Sequence, residues 1–265
     1  MSMKRYGRVY GESAVRIVLV AVLLAMSVGY VQGATAASSA AVTASSGTAA
    51  AGQDQAEKRK PIVCVEAGHQ AKANLKTEPI APGSKTKKAK VAGGTSGVAT
   101  KKPEYKLTLE VALKLEAALK DDYQVVMVRR TNDVNLSNSE RAIVCNNAKA
   151  DVMVRLHADG STNKNVKGMT FFYPSPDNAY TKPIAGTSKE IAAAVSKQVI
   201  SRTGAKLIGV KGRGDLTGFN WTKVPTFLIE MGFMTNRDED VRMSQPEYQD
   251  KIVAGIKAGL DAILK

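Results

Sequence analysis

The sequence predicts a single three-layer α/β domain with a mostly parallel or mixed central sheet flanked by helices. Three observations predict it. Short apolar, β-branched runs alternate along the chain with stretches whose apolar residues recur at helical spacing. Two Ser-x-x-Glu signals stand where helices should open. The 265 residues suit one domain of ordinary size with a tail.

Taken in order, Pro61 to Val65 reads as a buried strand that feeds a loop, Glu66-Ala67-Gly68-His69. A polar segment rich in Gly, Lys and Thr follows from Gln70 to Pro103; a structureless loop of that length is usually functional or mobile. Leu107, Val111, Leu115, Ala118 and Leu119 predict an amphipathic helix over 104–120. Tyr123 to Val128 is a strand, and Ser137 with Glu140 forms a capping box for a helix to about Ala148. Asp151 to His157 and Gly168 to Tyr173 are further strands. Ile191, Ala194, Val195 and Val199 mark a helix over 186–203, and Pro225 to Glu230 is another buried strand. Ser244 with Glu247 is expected to cap a terminal helix ending near Leu264. In such sheets, ligands bind beyond the carboxyl ends of strands.

The N-terminal part is read differently. Lys4, Arg5, Arg8 and Arg16 precede an apolar run, Ile17 to Val28, and small residues follow, so residues 1–36 predict a secretory signal peptide or an uncleaved N-terminal anchor. Residues 37–60, almost all Ala, Ser, Thr, Gly and Gln before Glu57-Lys58-Arg59-Lys60, are expected to be a disordered linker. Residues 61–265 form the expected folded domain. Export then places the chain outside the cytoplasm, with membrane contact only through an uncleaved N-terminal segment.

The formal charge is +14, and setting aside the leader's four basic residues and Glu12 leaves about eleven positive. Such an excess admits anionic wall polymer, membrane or nucleic acid as partner; export excludes nucleic acid, and a solvated lysine-rich surface accounts for most of the charge. Cys64 and Cys145 form no CxxC pair, which excludes a cysteine zinc site; a disulfide and two buried thiols account for them equally well.

The chemistry-bearing residues gather at predicted strand ends. His69 and His157 are the only histidines, and each follows a strand, which favours metal binding. Glu230 ends the most hydrophobic strand, where a carboxylate is costly unless paired or metal-linked. Glu104 opens the helix after the long segment, a place acidic residues also favour for the helix dipole alone. Arg155 and Asn220 are candidate substrate-binding residues. Arg155 alternates with His157 and suits either a peptide carboxylate or a structural ion pair. Phe219-Asn220-Trp221 suits either a stacking wall or core packing, and Lys72, Lys76, Lys85, Lys87, Lys88 and Lys90 either border a groove or are simply solvated.

Four blocks carry a resemblance: Ile62-Val-Cys-Val-Glu-Ala-Gly-His69, Glu104-Tyr-Lys-Leu-Thr-Leu109, Arg155-Leu-His-Ala-Asp159 and Pro225-Thr-Phe-Leu-Ile-Glu-Met-Gly-Phe-Met-Thr-Asn236. In this order and spacing, residues 62–264 resemble the zinc-dependent N-acetylmuramoyl-L-alanine amidases of the amidase 3 type. The resemblance implies Zn2+ held by His69, Glu104 and His157, with Glu230 as the catalytic carboxylate that moves the water proton to the leaving alanine nitrogen. It implies that residues 61–265 are an amidase catalytic domain acting on peptidoglycan in the cell wall or a forespore intermembrane space, and it admits an accessory protein. The chain departs from the family at Glu66-Ala67, where Asp-Pro is usual; glutamate keeps a charge that can orient a ligand from behind. Glu78 to Gly83, Gly94 to Gly97 and Asn138-Ser-Glu-Arg141 resemble the branch that prepares spore cortex for muramic lactam formation and germination. A general autolysin and a non-catalytic wall-binding protein of the same fold are the rival readings, as is a peptidase cutting within the peptide.

Overall fold

A computed structural model describes residues 59–265. The expected leader and nearly all of the expected linker lie outside those residues. The linker's last two residues are docked on the domain: Arg59 donates two hydrogen bonds to Asp151, at 2.8 and 2.7 Å, and Lys60 donates to the Asp121 carbonyl. Among the described residues no helix is long and apolar enough to cross a membrane.

The elements are β1 (Ile62–Ala67), β2 (Asn74–Pro79), β3 (Lys87–Val91), α1 (Glu104–Leu119), β4 (Gln124–Met127), α2 (Asn138–Asn147), β5 (Val152–Asp159), β6 (Met169–Pro174), α3 (Lys182–Thr203), β7 (Leu207–Arg213), α4 (Thr217–Asn220), β8 (Thr226–Phe233), α5 (Arg237–Met243) and α6 (Pro246–Leu264). Six strands form one mixed sheet in the order β4-β1-β5-β8-β6-β7. Strand direction reverses between β8 and β6, and every other neighbouring pair is parallel.

Period-two geometry divides the central strands. Val63, Val65, Val154, Leu156, Phe227 and Ile229 join the larger apolar core, with α1, α3 and α6 over them. The alternate residues face α2 and the loops: Cys64, Met153 and Cys145 form a smaller apolar cluster there. Farther along the same strands, Glu66, Arg155, His157 and Glu230 take the place of apolar residues. Cys64 and Cys145 form a disulfide that ties β1 to α2 across 81 residues of sequence.

Two expectations are corrected. Gln70 to Pro103 is not structureless: β2 and β3 pair as an antiparallel hairpin, joined to the body by Trp221 Nε1, which donates to the Pro79 carbonyl at 2.9 Å, and by Ser139, whose hydroxyl donates to Glu78. Ser244 does not cap the last helix. It closes α5 in αR conformation, its N–H bonded back to Asp240 and Val241, whereas an N-cap residue needs extended backbone; α6 opens instead at Gln245 with Pro246 in its first turn. The Ser137–Glu140 capping box forms as expected.

Candidate metal centre

Parallel pairing aligns the reactive residues on one face of the sheet. Glu66 is the register partner of Arg155, and His157 that of Glu230. His69 lies just beyond β1, and Glu104 arrives as the first residue of α1. His69, Glu104 and His157 offer ligand atoms that all lie within 4.8 Å of one another. His69 Nε2 is 3.1 Å and His157 Nδ1 3.2 Å from Glu104 Oε1. Donors bound at about 2.1 Å around a tetrahedral ion are about 3.4 Å apart, so these two separations are close to those a metal would impose.

His69 and Glu104 are held from behind by hydrogen bonds, and His157 has a charge behind it. His69 Nδ1 lies 2.9 Å from the Ala92 carbonyl, so the neutral ring that donates there keeps a lone pair on Nε2. The Glu104 carboxylate accepts backbone N–H groups of Thr95 and Ala158, both at 3.0 Å. Burial works against its charge, but the two imidazoles hold its pKa well below the usual range. His157 Nε2 is buried without a hydrogen-bond partner and lies 3.8 Å from Glu66. Burial alone would lower the pKa of His157; Glu104 and Glu66 outweigh it and lift it to about 9.

The loop carrying His69 is clamped by its carbonyls. Arg141, fully buried, donates to the carbonyls of Ala67 and His69 as well as to Glu66 Oε1. Arg129, also buried, donates to the carbonyls of Ala67 and Gly68. His69 itself adopts a left-handed backbone, with φ of 59°, a strained state for a residue with a side chain. Gly68 is required for space: a Cβ there would lie 2.4 Å from the His157 ring. This clamp was not anticipated from sequence. The available signal was Arg141, four residues before Cys145 and therefore on the inward face of α2.

Glu230 stands beside this cluster. Its Oε2 is buried with no hydrogen-bond partner. Burial raises its pKa to about 7; Glu104 and Asp159 reinforce the rise, and His157 opposes it. A carboxylate poised there accepts and returns a proton near neutral pH.

Two cavities meet at the cluster. One, about 670 Å³, is an open trough bordered by Thr95, Asp159, Ser161, Thr162, Lys164 and Thr235. The other, about 200 Å³, is bordered by Arg155, Phe172, Arg213 and Leu228, with Glu230 and both histidines common to the two. Arg155 forms the structural ion pair weighed from sequence, its Nε donating to Glu66 Oε2 at 2.8 Å, while its outer end borders this second cavity. Asn220 borders neither. Its carbonyl oxygen accepts from Asn178 and its amide donates to Gly214, because α4 turns it inward to tie two connections together. Of the loop lysines none borders either cavity; Lys88 instead donates to the Asp215 carbonyl.

The family model described as N-acetylmuramoyl-L-alanine amidase, of the amidase 3 type, matches residues 63–262. An N-acetylmuramoyl-L-alanine amidase of Mycobacterium tuberculosis is 31% identical over 187 residues, covering 65% of this chain and 76% of that protein. The N-acetylmuramoyl-L-alanine amidase LytC of Bacillus subtilis is 26% identical over 156 residues; the match spans 59% of this chain but only 30% of the longer relative. Among solved structures, the N-acetylmuramyl-L-alanine amidase Ami1 from Mycobacterium smegmatis superposes with a TM-score of 0.69 at 27% identity, covering 77% of this chain and 96% of that one.

Proposed function

Since this chain belongs to the N-acetylmuramoyl-L-alanine amidase family of the amidase 3 type, we propose that it hydrolyses the amide between the lactyl group of muramic acid and L-alanine in peptidoglycan, outside the cytoplasm and with zinc. The observation that carries this reading is the convergence of His69, Glu104 and His157 beside the buried, unpartnered Oε2 of Glu230.

Two imidazole nitrogens and one carboxylate oxygen are the donor set of hydrolytic zinc sites, and His69 Nε2, Glu104 and His157 Nδ1 would hold the ion. When bound, zinc supplies Lewis acidity toward the amide carbonyl and makes a water easier to deprotonate. The chain's own groups do the rest. Glu230 takes the proton of the attacking water on its free oxygen and delivers it to the departing alanine nitrogen. Its apolar strand keeps bulk water from competing for that proton. Ala92 and Glu66 keep the two rings oriented.

The test is digestion of purified peptidoglycan by the protein, with and without zinc, beside Glu230→Gln, with products read by mass spectrometry. Peptide-free glycan should appear only with zinc and only from the parent protein. The variant should bind zinc as the parent does and lose at least about a hundredfold in rate. Zinc bound with no bond cut favours a wall-binding role, a cut within the peptide favours a peptidase, and failure to bind zinc removes the ligand assignment.

The sequence resemblance at Glu78 to Gly83 and Asn138 to Arg141 supports spore cortex maturation as the biological setting. Muramic lactam missing from the spores of a deletion strain tests that role against general autolysis.

A further inference from the structure

The smaller cavity has a chemistry that neither zinc ligation nor proton transfer uses. It is bordered by two arginines, and the first is part of an unbalanced buried charge cluster. Arg129, Arg141 and Arg155 are each at most 3% exposed, and the carboxylate among them is Glu66. Glu66 takes Arg141 on one oxygen and Arg155 Nε on the other. Arg155 Nη1 and Nη2 have no hydrogen-bond acceptor among the described residues, although the side chain is 4% exposed. Neither nitrogen is sealed from solvent, so water or an anion can reach the two donors.

The surroundings fix where those donors lie. A Cβ on Gly218 would fall 2.2 Å from Arg155 Nη1, so the backbone of α4 presses directly on the guanidinium. The Phe219 ring holds it from another side, 5.7 Å from centroid to Cζ. Across the cavity, Arg213 is placed over Phe172 at 5.1 Å, with Nε and Nη2 bonded to Asp215 and Nη1 without a partner. The cavity is therefore bordered by two guanidiniums with donors to spare and by the apolar side chains of Leu228 and Phe172. Planar forks of this kind suit a carboxylate. The larger trough, by contrast, is lined by hydroxyls of threonine and serine.

We propose that Arg155 and Arg213 form a carboxylate subsite for the peptide on the leaving-amine side, which sets the substrate's direction: glycan in the open trough, stem peptide in the arginine cavity. The inference rests on the amidase reading above, because it places the scissile amide at the metal cluster where the two cavities meet. Binding there orients the leaving nitrogen toward Glu230, so that a peptide carrying its carboxylate is held in one direction only.

Calorimetry with the zinc-loaded protein tests this, using L-alanyl-glutamate and its diamide as probes, so that the two differ in charge and hardly in shape. The parent should bind the dipeptide at least about tenfold more tightly than the diamide. Arg213→Gln and Arg155→Lys should each collapse that ratio toward one, and Lys189→Gln, an exposed change on α3, should leave it intact. Arg213 contacts no residue of the metal cluster, so its variant decides the matter if Arg155→Lys fails to fold. Equal binding of the two probes by the parent, or a ratio that survives both arginine changes, overturns the proposal. Binding needs no turnover: a protein that discriminates between the probes yet cuts no peptidoglycan refutes the amidase reading and leaves the carboxylate subsite standing, and the converse result separates them the other way.

Discussion

Two ion-pair networks in this molecule both join carboxylates to cationic side chains at similar distances, and they differ in burial. Behind the candidate metal centre, Glu66 joins Arg141 and Arg155 with side chains 1–4% exposed. At the far end of α6, Asp122, Asp261, Lys257 and Lys265 interlink at 2.6 to 3.1 Å with side chains 25–41% exposed. Distances in the two are alike. In the first, every charge has left water, so each partner is needed to offset the desolvation of the others. In the second, water and salt already solvate each group, and the pairs add little. The difference teaches that the inner network is a positioning device whose members cannot be removed singly, while the outer one is a solvated seam between the α1–β4 turn and the last helix.

Glu66→Gln attacks the comparison most directly. It leaves buried guanidiniums around a neutral amide, so unfolding in urea should show a loss of about 3–5 kcal/mol. Zinc affinity should fall by about ten- to a hundredfold, because His157 loses the charge behind its Nε2. A loss no larger than that of a surface pair would place the two networks in one class.

The disulfide sharpens the same question, since it joins β1 to α2, the two elements that Glu66 and Arg141 also join. Closing 81 residues of chain is worth about 2–4 kcal/mol. The double change Cys64→Ala, Cys145→Ala should lower stability by that amount and leave zinc affinity nearly unchanged if the arginine clamp alone holds the His69 loop. A large drop in zinc affinity would show that the clamp depends on the covalent tie.

Lys257→Met should have the smallest effect, a slight lowering of Tm that high salt erases. Acid gives a second view of the seam. Its hydrogen bonds with Lys257 and Lys265 hold Asp122 down to about 2, below the unfolded value of 3.8, and Asp261 is lowered too, against the pull of burial. The stability these carboxylates contribute is therefore fully present above about pH 4 and fades as the pH falls toward 2. A thermal melt series across that range, compared with Asp122→Asn, should show the gap between parent and variant closing with acid.

The parts of the molecule legible from sequence are those where burial is written as an unbroken apolar run. β1, β5 and β8 could be read because both their faces are covered, and α1 because its inward face repeats at helical spacing. His69, Glu104 and His157 come together because His69 follows β1, Glu104 opens α1 and His157 lies near the carboxyl end of β5, all at one edge of the sheet. The β2–β3 hairpin was not legible: lysines interrupt both of its strands, Leu75 is 73% exposed, and pairing depends on contacts from Trp221 and Ser139 far along the chain. β7 lies at the edge of the sheet and is mostly half-exposed or exposed, so it lacks an apolar signature. Arg129 and Arg141 escaped notice for a related reason. An arginine reads as surface, and only the fold reveals three backbone carbonyls, those of Ala67, Gly68 and His69, turned toward them.

The pairing of His157 with Glu230, and of Glu66 with Arg155, has a consequence for how the chain becomes functional. Neighbouring strands are about 4.8 Å apart, and the sheet acts as a ruler that spaces the acid, the imidazole and the guanidinium across three strands. A slip of one residue in β5 would turn Arg155 and His157 together toward the α-helical layer and bring Val154 and Leu156 into the site. A misregistered chain would thus be wholly inert instead of partly active, and on the amidase reading proposed above a wall-cutting domain gains safety from having no intermediate setting.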